Sequence, residues 1–271
     1  MKGWRRYMAN FLKVLVENAI KRVKNGYYDV PSSATFSKPP SLKEAILACK
    51  AIPIIAELKL TSPTMGRRIH GDVKSMAKAM ERGGAVGISV LTENTFFDGS
   101  LDKLRAVRET VSIPILMKDV IVSSIQLEAA SRLGASAVLL IKKVYDQSMC
   151  DEDLDDMIKT AHSLGLEVLL ETHTEEEFLS GMDTEADMLG INNRDLETLE
   201  VDINISKRIL TSAKVKRKLV VCESGINSPA QVILLKNLGA DAFLVGTFIM
   251  TSTNIESSVR ELVRGHDLCK G

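Results

Sequence analysis

PIIAELKLTSPTMG, running from Pro53 to Gly66, is the stretch on which the reading of the whole chain turns. An apolar run, Ile54-Ile55-Ala56, passes without a turn residue into Glu57 and Lys59, and then into a loop containing Thr61, Ser62, Thr64 and Gly66. A buried strand, charged groups at its end and a polar loop beyond them is how a barrel of parallel strands carries its chemistry. Glu57 and Lys59 are two residues apart, so strand periodicity points both side chains to one side, and an acid and a base then face one pocket. Taken alone, the stretch also fits an ordinary strand end whose charges have reached solvent, because charged residues are usually exposed. Repetition along the chain decides between the two.

The alternation does repeat. Short apolar runs rich in branched residues occur at 54–59, 86–91, 115–118, 137–141, 167–171, 187–191, 219–223 and 242–245. Helical patterns follow them, many closing at a glycine. Start signals include Asp72, Ser100 and Ser123, a capping box at Thr174 to Glu177, and Ser228-Pro229 as N-cap and first helical residue. Further helical segments are expected around 154–165, from about Asp202, and at Ile255 to Val263. Eight strand-helix units in succession predict an α/β fold, a (β/α)8 TIM barrel. A doubly wound sheet alternates similarly but usually with fewer units, and no GxGxxG follows the first strand. The chain, 1–271, is read as a single barrel domain with 1–50 as an N-terminal helical extension. That extension holds an amphipathic helix over 7–23, a loop over 26–40 and a capping box at Ser41 to Glu44, pieces suited to cover the barrel's bottom or fold over its top.

Composition narrows the function classes. Thirty-five basic residues balance thirty-five acidic ones, which argues against a nucleic-acid surface while allowing a local anion pocket. Cys49, Cys150, Cys222 and Cys269 show no CxxC spacing, so neither a zinc site nor a disulfide framework is expected, and reduced thiols fit the cytosol. The amino-terminal apolar run is short and broken by Lys13 and Glu17, unlike a signal peptide or a membrane span. A cytoplasmic protein is the expectation, with no membrane partner. Oligomeric state is not written in the sequence, and a monomer is the simplest case.

Polar groups gather where the strands end: Glu57 and Lys59, Lys118 and Asp119, Glu171, Asn192 and Arg194, and Glu223 with Ser224. Unpaired charges in a partly closed mouth are costly, so a purely structural barrel has little reason to collect them. Ser224-Gly225 after the seventh strand and Gly246-Thr247 after the eighth stand where phosphate-binding barrels place backbone amides and a short extra helix. His173 follows the fifth strand and is a candidate for the mouth; no HExxH or comparable cluster appears, and no metal is expected.

Together these motifs resemble the indole-3-glycerol-phosphate synthase family: IIAELKLTSP at 54–63, SVLTE at 89–93, PILMKD at 114–119, LLET at 169–172, GINNRDLETLE at 190–200, ESGI at 223–226 and LVGT at 244–247. The resemblance implies a phosphorylated small-molecule substrate, 1-(2-carboxyphenylamino)-1-deoxyribulose 5-phosphate, closed to an indole with loss of carbon dioxide and water and without a cofactor. It further implies Lys118 as general acid, Lys59 on the substrate carboxylate, Glu171 as base, and Glu57, Asn192 and Glu223 as the remaining polar wall. Ser62, Ser224, Gly225, Gly246 and Thr247 match the phosphate side, with Arg194 bracing its loop. This chain departs from the family at Leu60 and Thr61, where a basic residue and a small or basic one are common. It departs again at Val120, commonly an aromatic that packs on the anthranilate ring; Phe97 is the candidate to replace that wall. Position 247 is commonly serine, and threonine keeps the hydroxyl. Phosphoribosylanthranilate isomerase is a second reading, although its cysteine-aspartate pair has no counterpart at the first and fifth strand ends. A non-catalytic barrel that binds a phosphorylated metabolite is the third.

Overall fold

In the computed structural model, which describes residues 10–31, 36, 38–61, 69–212 and 218–265, eight parallel strands close in sequence order into a barrel. They are β1 (Ile54–Leu58), β2 (Gly87–Leu91), β3 (Ile115–Lys118), β4 (Ala137–Ile141), β5 (Glu167–Thr172), β6 (Met188–Asn192), β7 (Leu219–Glu223) and β8 (Ala242–Val245). The ring closes where Ile54 of β1 pairs with Phe243 of β8. The intervening helices start where hydroxyl and carboxylate caps predict: Asp72 accepts from the N–H of Ser75, Ser100 from Lys103, and Ser228 from Gln231. One short helix, Lys142–Asp146, was not expected; it starts directly after β4 with no side-chain cap and is tied by a Lys142–Asp146 ion pair of 2.7 Å. Among the described residues no helix is long and apolar enough to cross a membrane.

Strand parity sorts the barrel into two cores. Ile54, Ala56, Ile115, Met117, Val168, Leu170, Val220 and Cys222 turn outward to pack with the helices, whereas Ile55, Leu116, Leu169 and Val221 turn inward. Two residues further along each of those odd-numbered strands, the same inward parity delivers Glu57, Lys118, Glu171 and Glu223. The charges are thus the uppermost layer of the barrel's own packing rather than a solvated rim: Glu57, Glu171 and Glu223 are 4%, 2% and 0% exposed.

The amino-terminal extension serves both ends of the barrel. Helix α1 (Phe11–Lys24) buries Phe11, Leu12, Leu15, Val16 and Ala19, a helical stripe, each large side chain contributing about 1.5–3 kcal/mol on removal from water. It lies at the top, where Phe11 meets Phe96 edge-on at 5.1 Å and Arg22 forks onto Asp119 with contacts of 2.8 and 3.0 Å. Tyr7 and Met8, assigned to this helix from sequence, lie outside the described residues. Helix α2 (Leu42–Ala48) covers the bottom: its N–H groups at Leu42 and Lys43 donate to Glu167 at the start of β5, and Leu42 packs so closely that a Cβ on Gly87 would come within 2.7 Å of it.

Candidate active site

A cavity of about 650 Å³ opens at the carboxyl end of the barrel. One side is polar, with Glu57, Lys59, Lys118, Glu171 and Asn192; another is apolar, with Leu15, Leu91, Phe97, Val120, Leu139 and Ile141. Ser224, Gly225, Gly246 and Thr247 form a third part of the lining, beside Arg194. The residues singled out from sequence are therefore brought together, with two qualifications. Ser62 falls outside the described residues. Glu223 lies beneath the lining, wholly buried, and reaches the cavity only through Lys118.

Lys118 is the hub. Its Nζ donates to Glu223 Oε2 at 2.9 Å and stands 3.4 Å from Glu57 Oε1 and 3.9 Å from Glu171 Oε2. Burial alone would drive the proton off this amine, but the three carboxylates outweigh it and hold the ammonium well above the usual lysine range. Glu57 bridges both lysines, its other oxygen lying 3.0 Å from Lys59 Nζ. Burial opposes the charge on Glu57 as well, yet Lys59 and Lys118 bring its carboxyl down to about 2. Glu223 goes the other way: burial, aided by repulsion from Glu171 and Glu57, pushes its carboxyl up to about 7 against the pull of Lys118. Glu171 resists burial through its partners His173, Lys118 and Asn192 and sits at about 2.

Backbone geometry shapes the small-residue lining. Ser224 and Gly225 take successive left-handed conformations, φ +61° and +76°, and a Cβ on Gly225 would fall 2.6 Å from Val201. Gly246 precedes the short helix Thr247–Met250, whose first N–H groups have no helical partner. Arg194 donates to the Leu199 carbonyl at 2.8 Å and its N–H is taken by Asn192 Oδ1 at 3.0 Å, contacts within the segment that follows β6.

Other expectations are corrected. Asp119 lines the cavity as well, but its carboxylate does not join the Lys118 cluster: Arg22, Tyr28 and Thr92 all donate to it. His173 does not line the cavity; it stands behind Glu171, Nε2 3.2 Å from Glu171 Oε1. Leu60, at a position commonly basic in the family, packs into the outer core. Leu15 and Glu177 went unnoticed in the sequence, the first because it reads as one more apolar residue of an amphipathic stripe, the second because it reads as half of a capping box.

The sequence profile described as Indole-3-glycerol phosphate synthase matches residues 11–262. An indole-3-glycerol phosphate synthase from Methanopyrus kandleri is 41% identical over 227 residues, covering 82% of this chain and 87% of that protein. Another from Methanocaldococcus jannaschii is 43% identical over 227 residues, covering 82% of each. Among solved structures, the N-acetylmannosamine-6-phosphate 2-epimerase from Clostridium perfringens aligns with a TM-score of 0.58 at 16% identity, over 79% of this chain and 93% of that one, a likeness of barrel alone.

Proposed function

The chain belongs to the indole-3-glycerol phosphate synthase family, and on that premise we propose how its charged layer divides the work of the reaction. The enzyme is a carboxy-lyase of tryptophan biosynthesis acting on a phosphorylated small molecule. In our reading the phosphate of 1-(2-carboxyphenylamino)-1-deoxyribulose 5-phosphate lies against Ser224, Gly225, Gly246 and Thr247, where unpartnered backbone N–H groups favour an anion. The anthranilate ring lies against the apolar lining, with Phe97 and Leu15 beside the shorter Val120.

Ring closure joins the carboxylate-bearing aryl carbon to the ketone carbon, and the carbonyl electron pair moves onto oxygen. That oxygen becomes as basic as an alkoxide, so an ammonium held as firmly as Lys118 still gives up its proton to it. Lys59 holds the substrate carboxylate until it departs as carbon dioxide, leaving its bonding pair to restore the aromatic ring. Glu57, shared between the two lysines, keeps them apart and oriented. Glu171 then takes the C1 proton as the hydroxyl leaves, Lys59 giving the proton that turns it into water. With the carboxylate lost as carbon dioxide, one proton is taken up from solvent in each turnover. The scheme calls for no cofactor. We also read the enzyme as a cytoplasmic monomer that binds no nucleic acid.

The observation that carries this reading is Lys118 surrounded by carboxylates from three other strands, on the floor of a pocket that also holds Lys59. Indole fluorescence after mixing protein with the carboxyphenylamino-deoxyribulose phosphate tests it. Wild type should give signal, and Lys118→Ala should lose at least about a thousandfold in kcat, the order set by losing both the proton donor and the fixed charge. Near-normal turnover by Lys118→Ala would remove that lysine as the acid; tight binding without product from either protein would point to a non-catalytic barrel.

A further inference from the structure

Behind Glu171, on the side away from the pocket, stands a charged pair that the reaction as described leaves unused. The His173 ring is nearly closed off from solvent, its Nε2 3.2 Å from Glu171 Oε1 and its Nδ1 3.5 Å from Glu177 Oε2. Neither ring nitrogen makes an aligned hydrogen bond among the described residues, so the two carboxylates meet it as close ion-pair partners rather than through directed hydrogen bonds. Glu177 is fixed in place. In a capping box its side chain would return to the N–H of Thr174; here it accepts the N–H of His173 at 2.7 Å, while Thr174 accepts from the N–H of Glu177. The arrangement is a line of three groups, Glu177, His173 and Glu171, ending at Lys118.

We propose that His173 is a positioning residue for the reaction, an imidazolium clamped between Glu177 and Glu171 that keeps Glu171 ionised and turned with Oε2 toward Lys118 and the substrate. This rests on the reading of Glu171 as the base. The sharing of Lys118 supports it: that ammonium is divided among Glu57, Glu171 and Glu223, and His173 is the second cation on Glu171. Timing supports it too. Lys118 binds Glu223 more closely than Glu171, and once Lys118 has given up its proton the pocket holds no cation beside Glu171. A buried carboxylate left without one takes up a proton and ceases to be a base. His173 stays charged through that step. Burial disfavours its proton, but Glu171 and Glu177 hold the imidazole up at about 9. The other charges near the line are Lys118, beyond Glu171, and Lys143 on the helix Lys142–Asp146, which attracts Glu177 from the surface side.

The test combines histidine NMR with steady-state kinetics. In the wild type, the His173 ring signal, identified by its loss in His173→Gln, should titrate one or more pH units above the ordinary imidazole value of about 6.5. Glu171→Gln and Glu177→Gln should each bring it down. In His173→Gln the acid limb of the kcat profile should move up by a unit or more, so that kcat at the acid end falls about tenfold per unit while KM changes less than about threefold, because His173 does not line the pocket. A His173 that titrates at the ordinary imidazole value and ignores Glu171→Gln would overturn the proposal. So would an unmoved acid limb in a folded His173→Gln protein. If that variant does not fold, the titrations in the wild type and Glu171→Gln decide alone. Normal kcat in Glu171→Gln would instead remove Glu171 as the base, a failure the NMR coupling does not share.

Discussion

Two glycines set how close the carboxylates stand to the barrel axis. A Cβ at Gly190 of β6 would lie 2.3 Å from Glu223 Oε1, and one at Gly246 would lie 2.3 Å from Glu57 Oε2. In each case the obstructing atom is the far end of a flexible side chain, so the backbone tolerates the methyl group while the carboxylate has to move. Gly190→Ala should therefore leave the circular dichroism spectrum and thermal midpoint close to wild type. Its kcat should fall about a hundredfold, the scale on which an ångström of misplacement acts, because Glu223 can no longer hold Lys118 at 2.9 Å. Unchanged kcat in a folded Gly190→Ala protein would show that the Glu223–Lys118 contact does not tune the reaction. Nothing in the sequence marks Gly190 for this role: it reads as a glycine within an apolar strand, and its reason lies on the neighbouring strand, 33 positions away by number, where Asn192 pairs with Glu223.

Helix α1 is secured by a contact of the opposite kind, a buried ion pair between elements far apart in the chain. Arg22 and Asp119 are separated by 97 positions, and their fork is completed by the Tyr28 and Thr92 hydroxyls. Removing one member of such a pair strands the other, at a cost of about 3–5 kcal/mol. Arg22→Ala should lower unfolding free energy by that order in urea titrations, and should raise KM as well, since α1 brings Leu15 into the apolar side of the pocket. A KM equal to wild type, with the stability loss observed, would mean that α1 only braces the barrel. The contrast with the repeating units explains what was legible. Strand periodicity and caps are local rules, so all eight strands could be read in order, with Glu57, Lys118, Glu171 and Glu223 at their carboxyl ends. Asp119 follows Lys118 directly and lines the same cavity, yet its carboxylate is taken by Arg22 of α1. Its partner's identity depended on where α1 docks, and no local pattern encodes that. The depth of the charges was hidden for the same reason: sequence shows that a strand ends in a carboxylate, but only the packed ring shows that three of them share one lysine.

At the scale of the molecule, this layer ties stability to pH with a definite sign. An unfolded imidazole titrates near 6.5, whereas in the fold Glu171 and Glu177 raise His173 to about 9. The folded state binds that proton more tightly, so the contribution is complete below about pH 6.5 and is lost as pH rises through about 9; the shift corresponds to at most about 3 kcal/mol. Glu223 adds to the same slope. Its carboxyl, pushed up by burial to about 7, favours the fold below about 4.5 and ceases to do so as pH climbs through 7. Glu57 sets the other side: held at about 2 by Lys59 and Lys118, it contributes fully above about 4.5 and is lost as pH falls through about 2. The low value of Glu171 largely expresses its pairing with His173 and is not a separate gain. The thermal midpoint of the wild type should accordingly peak on the acid side of neutrality, near pH 5–6, and decline steadily to pH 9. In His173→Gln the decline above pH 7 should be much shallower. Calorimetry across pH 5–9 on both proteins checks this, and parallel curves for the two would place the titrating group somewhere other than behind Glu171.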